Sequence, residues 1–178
     1  MKKAFILFSL SLISVLSIAQ ISINKIPISS TQTLSRDVPT LEISSPNMML
    51  IESEDQDAST KGKPYRYAKL IDCDIDPSTE GLWEELENGV RIWRLNIESE
   101  NAKALSLYFD AFWIPSNGEL YIYNEDKSKV LGAYTSRNNH ESGVFAHEII
   151  EGDKLCIEYV QQGSGNPILH INKISYAY

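Results

Sequence analysis

The sequence has little cysteine, an excess of acidic over basic residues, and no long apolar run after its first 19 residues. Its 178 residues contain 2 cysteines, and 16 lysines and arginines stand against 24 aspartates and glutamates, for a formal net charge of −8. An acidic surface repels phosphate, so nucleic acids and anionic membranes are unfavourable partners. The absence of a later apolar run argues against a membrane-spanning helix in the rest of the chain.

With only Cys73 and Cys156, a fold built on disulfides is excluded, and a chain of this length is able to bury a core without them. A single disulfide between these two cysteines is an open alternative and would stabilise the fold by about 4.5 kcal/mol, because it restricts the unfolded chain. Cys73 alternates in phase with the apolar Ile71 and Ile75, whereas Cys156 lies on the polar phase of its strand. This difference favours two separate thiols.

Residues 1–19 have the pattern of a signal peptide. Lys2 and Lys3 precede an apolar stretch too short to span a bilayer, and the small residues Ser17 and Ala19 stand before the expected cleavage point at Gln20. We therefore expect an exported protein, either secreted, periplasmic or on the cell surface. The remaining chain has the length of one domain.

Residues 20–63 are expected to form a mobile leader with one short helix. The stretch 20–40 is rich in serine, threonine and proline and has no sustained apolar period. Ser45 followed by Pro46 is typical of a helix start, and predicts a helix near 46–55. An acidic loop is expected after it.

From Tyr65 onward the apolar residues alternate, and turn signals recur about every ten residues. This pattern predicts an all-β fold for residues 64–178, an antiparallel β-sandwich of about nine strands. The strands are expected near 65–73, 82–87, 90–98, 104–111, 119–124, 129–135, 143–150, 154–160 and 168–176. The side chains expected in the core are Trp93, Phe109, Leu120, Ile122, Leu155, Ile157, Tyr159, Leu169 and Ile171.

Asn88-Gly89 is the strongest local turn signal. Apolar side chains alternate on both sides of it, and both residues tolerate the positive φ of a type I′ turn. We expect a two-residue hairpin loop here, with Trp83 and Leu86 on one strand and Trp93 on the other facing the core.

The three histidines, His140, His147 and His170, lie in no recognisable catalytic motif. The run from His147 has Glu151 where a zinc-protease helix needs its second histidine. The nearest string to a serine-protease nucleophile motif, Gly163-Ser164-Gly165, lacks the preceding aspartate and lies in a polar loop. The sequence therefore assigns no catalytic residue and no cofactor-binding residue.

Asp72, Asp74 and Asp76 alternate as calcium ligands do, but Pro77 stands where an EF-hand needs glycine. A solvated strand edge is the favoured interpretation. A calcium site of another type, which includes Glu80 or another loop, is one alternative. The least favoured alternative is a metal-dependent hydrolase that uses His147 with these carboxylates. No metal ligand is assigned.

Phe112, Trp113 and Ile114 are three consecutive bulky residues that strict alternation cannot all turn inward, and Pro115 ends their strand. At least one of them is expected to face outward, which predicts an exposed apolar patch for a protein contact. A glycan-binding surface is the alternative, and it would combine Trp113 with Tyr121 and Tyr123, which alternate away from Leu120 and Ile122.

Several motifs together resemble one protein family. They are the Gly-x-Trp at residues 81–83, the Trp-Arg-Leu at 93–95, the Leu-x-Leu-x-Phe strand at 105–109, the Leu-x-Ile-Tyr at 120–123 and the Leu-Gly-x-Tyr-Thr at 131–135. Read from about Leu50 to Tyr178, this order is similar to the N-terminal, non-catalytic region of secreted bacterial lysyl-endopeptidase-like serine proteases, which are trypsin-like enzymes. The motifs are mostly turns and core aromatics, so they specify a fold better than a function.

The resemblance implies a prosegment-like accessory domain without its catalytic domain. In such relatives a catalytic domain follows, and the prosegment accompanies its folding or latency, so the implied partner is a serine protease catalytic domain. Hydrolysis would belong to full-length relatives, which leaves open whether this protein takes part in an enzyme. The alternative is a stand-alone secreted or surface module that binds a glycan or a protein. The oligomeric state is not predicted.

Overall fold

The computed structural model describes residues 22, 23 and 25–178, and strands predominate there. The predicted signal peptide, residues 1–19, lies outside the described residues. The strands are β1 (Thr40–Glu42), β2 (Ala68–Ile75), β3 (Leu82–Glu85), β4 (Val90–Glu98), β5 (Ala104–Trp113), β6 (Gly118–Tyr123), β7 (Val130–Tyr134), β8 (Phe145–Ala146), β9 (Ile150–Glu151), β10 (Lys154–Gln162) and β11 (Ile168–Ala177). One α-helix, α1 (Met48–Thr60), accompanies them.

The strands form two sheets. In the first sheet the order is β1-β4-β10-β6-β7, and β3 also pairs with β4. In the second sheet the order is β2-β11-β5-β8, and β9 also pairs with β5. The pairs are antiparallel except for the parallel pair of β1 and β4. A β-rich, largely antiparallel fold is thus confirmed.

One apolar core contains side chains from both sheets. Trp93 on β4 and Phe109 on β5 are each 1% exposed and belong to the same cluster. The indole N–H of Trp93 donates to the carbonyl of Glu80 at 2.7 Å, so the buried ring leaves no unpaired donor. All nine side chains that alternation assigns to the core lie in this cluster.

The hairpin between β3 and β4 forms, but with a longer loop than the sequence predicts. Trp83 pairs with Trp93, and the pairing continues to Leu86 and Val90. Gly89 N–H donates to the Leu86 carbonyl at 2.8 Å, and Gly89 has φ 75° whereas Asn88 is not among the residues of positive φ. A type I turn closed by a left-handed glycine therefore replaces the predicted type I′ turn.

Helix α1 begins later and ends later than the predicted range 46–55. Asn47, not Ser45, is its N-cap, and its side chain accepts the backbone N–H of Leu50 at 3.2 Å. The acidic residues that the sequence assigns to a loop continue the helix to Thr60, with an ion pair between Asp57 and Lys61.

Residues 22, 23 and 25–39, here called the N-terminal strap, begin along the edge strand β7 and then lie against the outer face of the first sheet. Ile23 exchanges two backbone hydrogen bonds with Ala133 of β7, at 2.8 and 3.2 Å. Further along, Ile28 and Leu34 pack on a second buried apolar cluster that includes Tyr121 and Tyr123. The sequence predicts a mobile leader here because these apolar residues are scattered and follow no period.

Candidate functional site

The outer face of the second sheet carries the predicted patch residue Trp113. Trp113 is 49% exposed, whereas Phe112 and Ile114 are buried. The three residues thus alternate, and of the predicted patch only Trp113 faces outward. Phe112 instead stacks on Phe145 inside the core, with ring centroids 4.1 Å apart.

A β-bulge in β5 explains this alternation. His170 of β11 pairs with Ala111, and the next residue, Ile171, pairs with Phe109, so Asp110 has no opposite residue. The extra residue changes which side chains face the core, from Phe109 before the bulge to Phe112 after it. The predicted strand 104–111 therefore continues to Trp113.

Ile168 lies directly opposite Trp113 on β11 and is 57% exposed. Side chains that are opposite on paired strands share one face of the sheet and lie in contact range. Trp113 and Ile168 together form an exposed apolar surface, here called the Trp113 patch. Ile168 is not among the predicted patch residues, although its alternation with the buried Leu169 is a readable signal.

Next to the Trp113 patch, His170 lies between two carboxylates. Its Nε2 is 2.8 Å from Oδ1 of Asp74, on β2, and its Nδ1 contacts Oδ1 of Asp110, on β5. Both hydrogen bonds raise the pKa of His170 above its usual value, and the bond to Asp74 has the larger effect. The carboxylates remain accessible, since the side chains of Asp74 and Asp110 are 93% and 47% exposed. The three residues are here called the His170 triplet.

Asp72, Asp74 and Asp76, whose alternation suggests calcium ligands, do not share one site. Asp72 forms an ion pair with Lys173 of β11, and Asp74 contacts His170. Asp76 accepts the backbone N–H of Ser78 at 2.7 Å in the turn after β2. Within residues 22, 23 and 25–178, no group of three or more His, Cys, Asp or Glu side chains is arranged to hold a metal ion.

His147 is part of the fold. The predicted strand 143–150 is split into β8 and β9, and His147 lies buried between them. Its Nε2 accepts the backbone N–H of Leu107 at 3.0 Å, so Nδ1 carries the proton and donates to the carbonyl of Glu148 at 2.5 Å. Burial lowers the pKa of His147 to about 4. The imidazole thus takes the place of a backbone carbonyl as the acceptor for the Leu107 N–H of β5, and it is neutral near pH 7.

The other sequence candidates lie apart from the His170 triplet. His140 is exposed in a loop, where its Nδ1 contacts the hydroxyl of Ser142 at 2.9 Å. Ser164 lies in the loop between β10 and β11, as predicted. Cys73 and Cys156 are free thiols on strands of different sheets, and burial raises the pKa of each to about 11.

Tyr121 and Tyr123 are buried, which contradicts the proposed surface patch of Trp113, Tyr121 and Tyr123. The N-terminal strap covers the sheet face on which both tyrosines lie. The hydroxyl of Tyr123 donates to Glu158 at 2.9 Å, and the backbone N–H of Ser29 in the strap donates to the same carboxylate at 3.2 Å. Glu158 is fully buried, so these bonds compensate its lost hydration.

A concave surface surrounds Trp83, which is 36% exposed. It forms a cavity of about 340 Å³ whose lining includes Trp83, Arg91, Asp76 and Asn166. The guanidinium of Arg91 lies 5.6 Å from the centre of the Trp83 ring and donates to Asn166 at 3.0 Å. An aromatic ring beside amide, carboxylate and guanidinium groups is chemically suited to a sugar.

In the part of the chain that the structure describes, no helix is both long and apolar enough to cross a bilayer. No protein-family model matches the sequence.

Proposed function

We propose that this protein is an exported, non-catalytic β-sandwich domain that binds a protein partner through the Trp113 patch. The observation that carries the proposal is the exposure of Trp113 and Ile168, opposite each other on paired strands. A tryptophan is among the side chains that contribute most when a protein interface buries them. The shared core of the two sheets supports the sandwich arrangement, and the pattern of residues 1–19 supports export.

The partner we propose is the catalytic domain of a lysyl-endopeptidase-like serine protease, whose folding or latency this domain would accompany. The sequence motifs from Gly81 to Thr135 support this partner by resemblance. The buried, hydrogen-bonded state of His147 supports a role without catalysis, because a neutral imidazole committed to two backbone groups is not available as a base.

The binding test uses a lysyl-endopeptidase-like catalytic domain whose catalytic serine has been replaced by alanine, titrated calorimetrically with this protein. Replacing Trp113 by Ser should weaken binding by about 2 kcal/mol or more, or about 30-fold, as for a buried tryptophan anchor. Trp83→Ser is the matched control, since Trp83 is also partly exposed but lies on the other sheet.

Equal affinities of the wild-type protein and the Trp113→Ser variant, with both folded, would remove the Trp113 patch from the proposal. The purified protein alone should not hydrolyse a lysyl peptide amide. Turnover that persists through purification to constant specific activity would contradict a non-catalytic role.

The cavity at Trp83 favours a second candidate function, glycan binding. Arg91, Asp76 and Asn166 provide hydrogen-bonding groups around an aromatic ring. In a glycan-array experiment, this function predicts that Trp83→Ser abolishes glycan binding and that Trp113→Ser leaves it unchanged. For the protein partner the effects of the two variants should be the reverse.

A further inference from the structure

The Trp113 patch and the His170 triplet form one continuous surface. Ile168 and His170 are two residues apart on β11 and point to the same side, so they lie about 7 Å apart along the strand. Asp110 lies in the bulge that precedes Trp113 on the neighbouring strand. An apolar area thus borders directly on two exposed carboxylates.

This surface is acidic in both protonation states of His170. The triplet has two carboxylates and one imidazole, so its net charge is −1 with the imidazole protonated and −2 with it neutral, counted from Asp74, Asp110 and His170. The carboxylate of Asp72 is already neutralised by Lys173. The charged groups that act on His170 are Asp74 and Asp110, which it contacts, and Asp76 in the turn after β2. The other charged or titratable residues on these three strands near it are Asp72, Cys73, Tyr108 and Lys173.

We infer that the partner docks a basic segment here, with the aliphatic stem of a lysine or arginine on Trp113 and Ile168 and its charged head at Asp74 and Asp110. This inference rests on the proposed binding role of the Trp113 patch and adds the chemistry of the partner. Lysine and arginine combine an apolar stem with a cationic end, which matches the order of apolar and acidic groups on this surface. The face of an exposed tryptophan attracts the same cations.

His170 makes the binding dependent on pH. A protonated imidazole donates to both carboxylates and partly neutralises them. A neutral imidazole has one N–H only, so one carboxylate loses its internal donor and becomes free for the cation of the partner. Binding of a basic segment therefore strengthens as the pH rises through the titration of His170.

The test is an NMR titration of the full protein with two short, capped peptides. One alternates lysine with leucine and phenylalanine, and the other has glutamate in place of every lysine. We expect saturable shifts at Trp113, Ile168 and His170 with the basic peptide only, and a higher affinity above the pKa of His170, which the same spectra measure.

Two double variants separate this site from the general negative charge of the protein. Asp74→Asn with Asp110→Asn should weaken binding of the basic peptide about tenfold, because two exposed charge pairs are lost. Glu52→Gln with Glu87→Gln removes the same charge from exposed residues elsewhere and should change the affinity less than about twofold.

Equal binding of the two peptides, equal effects of the two double variants, or a weaker affinity at higher pH would each overturn the inference. A protease domain that binds through Trp113 with no effect of the Asp74 and Asp110 substitutions would overturn it as well, and would leave the proposed function intact. The opposite result, a peptide that binds as expected while the protease domain does not bind, would contradict the proposed partner alone.

Discussion

At the scale of single residues, two histidines on the second sheet respond to pH in opposite ways. His147 is buried and accepts a backbone N–H, so its protonation is unfavourable in the folded state. His170 contacts two carboxylates, so its protonation is favourable there. Their contributions to folding stability therefore have opposite signs.

The pH dependence of unfolding tests the assignment of His147. The unfolded chain protonates this imidazole near pH 6.5, whereas the folded protein does so only near its pKa of about 4. The free energy of unfolding should therefore fall as the pH is lowered from about 6.5 towards 4. For His170 the sign is reversed, and its contribution is present at low pH and is lost as the pH rises through its raised pKa.

Urea denaturation at several pH values measures this effect. His147→Gln is the informative variant, because its side-chain oxygen can still accept the Leu107 N–H but does not titrate. The difference in the free energy of unfolding between wild type and His147→Gln should decrease below pH 6.5. If that difference were independent of pH, His147 would not be a buried neutral imidazole. Above about pH 6.5, His147→Ala should lower the free energy of unfolding by about 1–3 kcal/mol, since it leaves a buried N–H unpaired, and this cost should also decrease at lower pH.

At the scale of elements, the hairpin of β3 and β4 depends on the backbone of Gly89. Its φ of 75° is unfavourable for a β-branched residue, and a side chain at this position would meet no atom within 4 Å. Replacing Gly89 by Val should therefore destabilise the protein by about 1–2 kcal/mol through backbone conformation alone.

Gly89→Asn is the matched control, because asparagine tolerates the left-handed conformation. Thermal unfolding should place it between the wild type and Gly89→Val. If the two variants were equally stable, the observed turn would not be the one present in solution.

The alternation of apolar residues predicts the inward faces of the strands, but not where a strand changes phase. Trp93, Leu120 and Tyr159 follow uninterrupted alternation and are buried as predicted. The bulge at Asp110 depends on pairing with β11, more than fifty residues later in the chain, so no local pattern predicts it. The sequence does not identify the two partners of His170 either, because they lie on the strands that flank β11, and the sequence of a single strand does not determine its neighbours in the sheet.

The N-terminal strap could not be predicted because the contacts that hold it on the sheet are distant in sequence. Ile23 pairs with Ala133, and Ser29 bonds to Glu158. Its few apolar residues, Ile28 and Leu34 among them, have no period of their own and acquire a role only on the completed sheet. The same contacts bury Tyr121 and Tyr123, which alternation alone turns towards solvent.

At the scale of the whole molecule, the two sheets have different outer faces. The strap covers the apolar outer face of the first sheet, whereas the second sheet presents Trp113 and Ile168 beside Asp74 and Asp110. The exposed apolar area is small compared with the roughly 800 Å² that each partner buries in a specific interface, so neighbouring polar groups must take part. We therefore expect one binding face, with an apolar centre and an acidic border.

The 3 tryptophans of the protein have separate environments, because Trp93 is buried in the core, Trp83 lines the cavity with Arg91 and Asn166, and Trp113 lies on the proposed binding face. The most direct measurement is ¹⁹F NMR of the protein labelled with 5-fluorotryptophan, titrated with the inactive lysyl-endopeptidase-like catalytic domain. The account predicts that the Trp113 resonance shifts while those of Trp83 and Trp93 do not. A Trp113 resonance that stays unchanged at saturation, or a shift confined to Trp83, would contradict it.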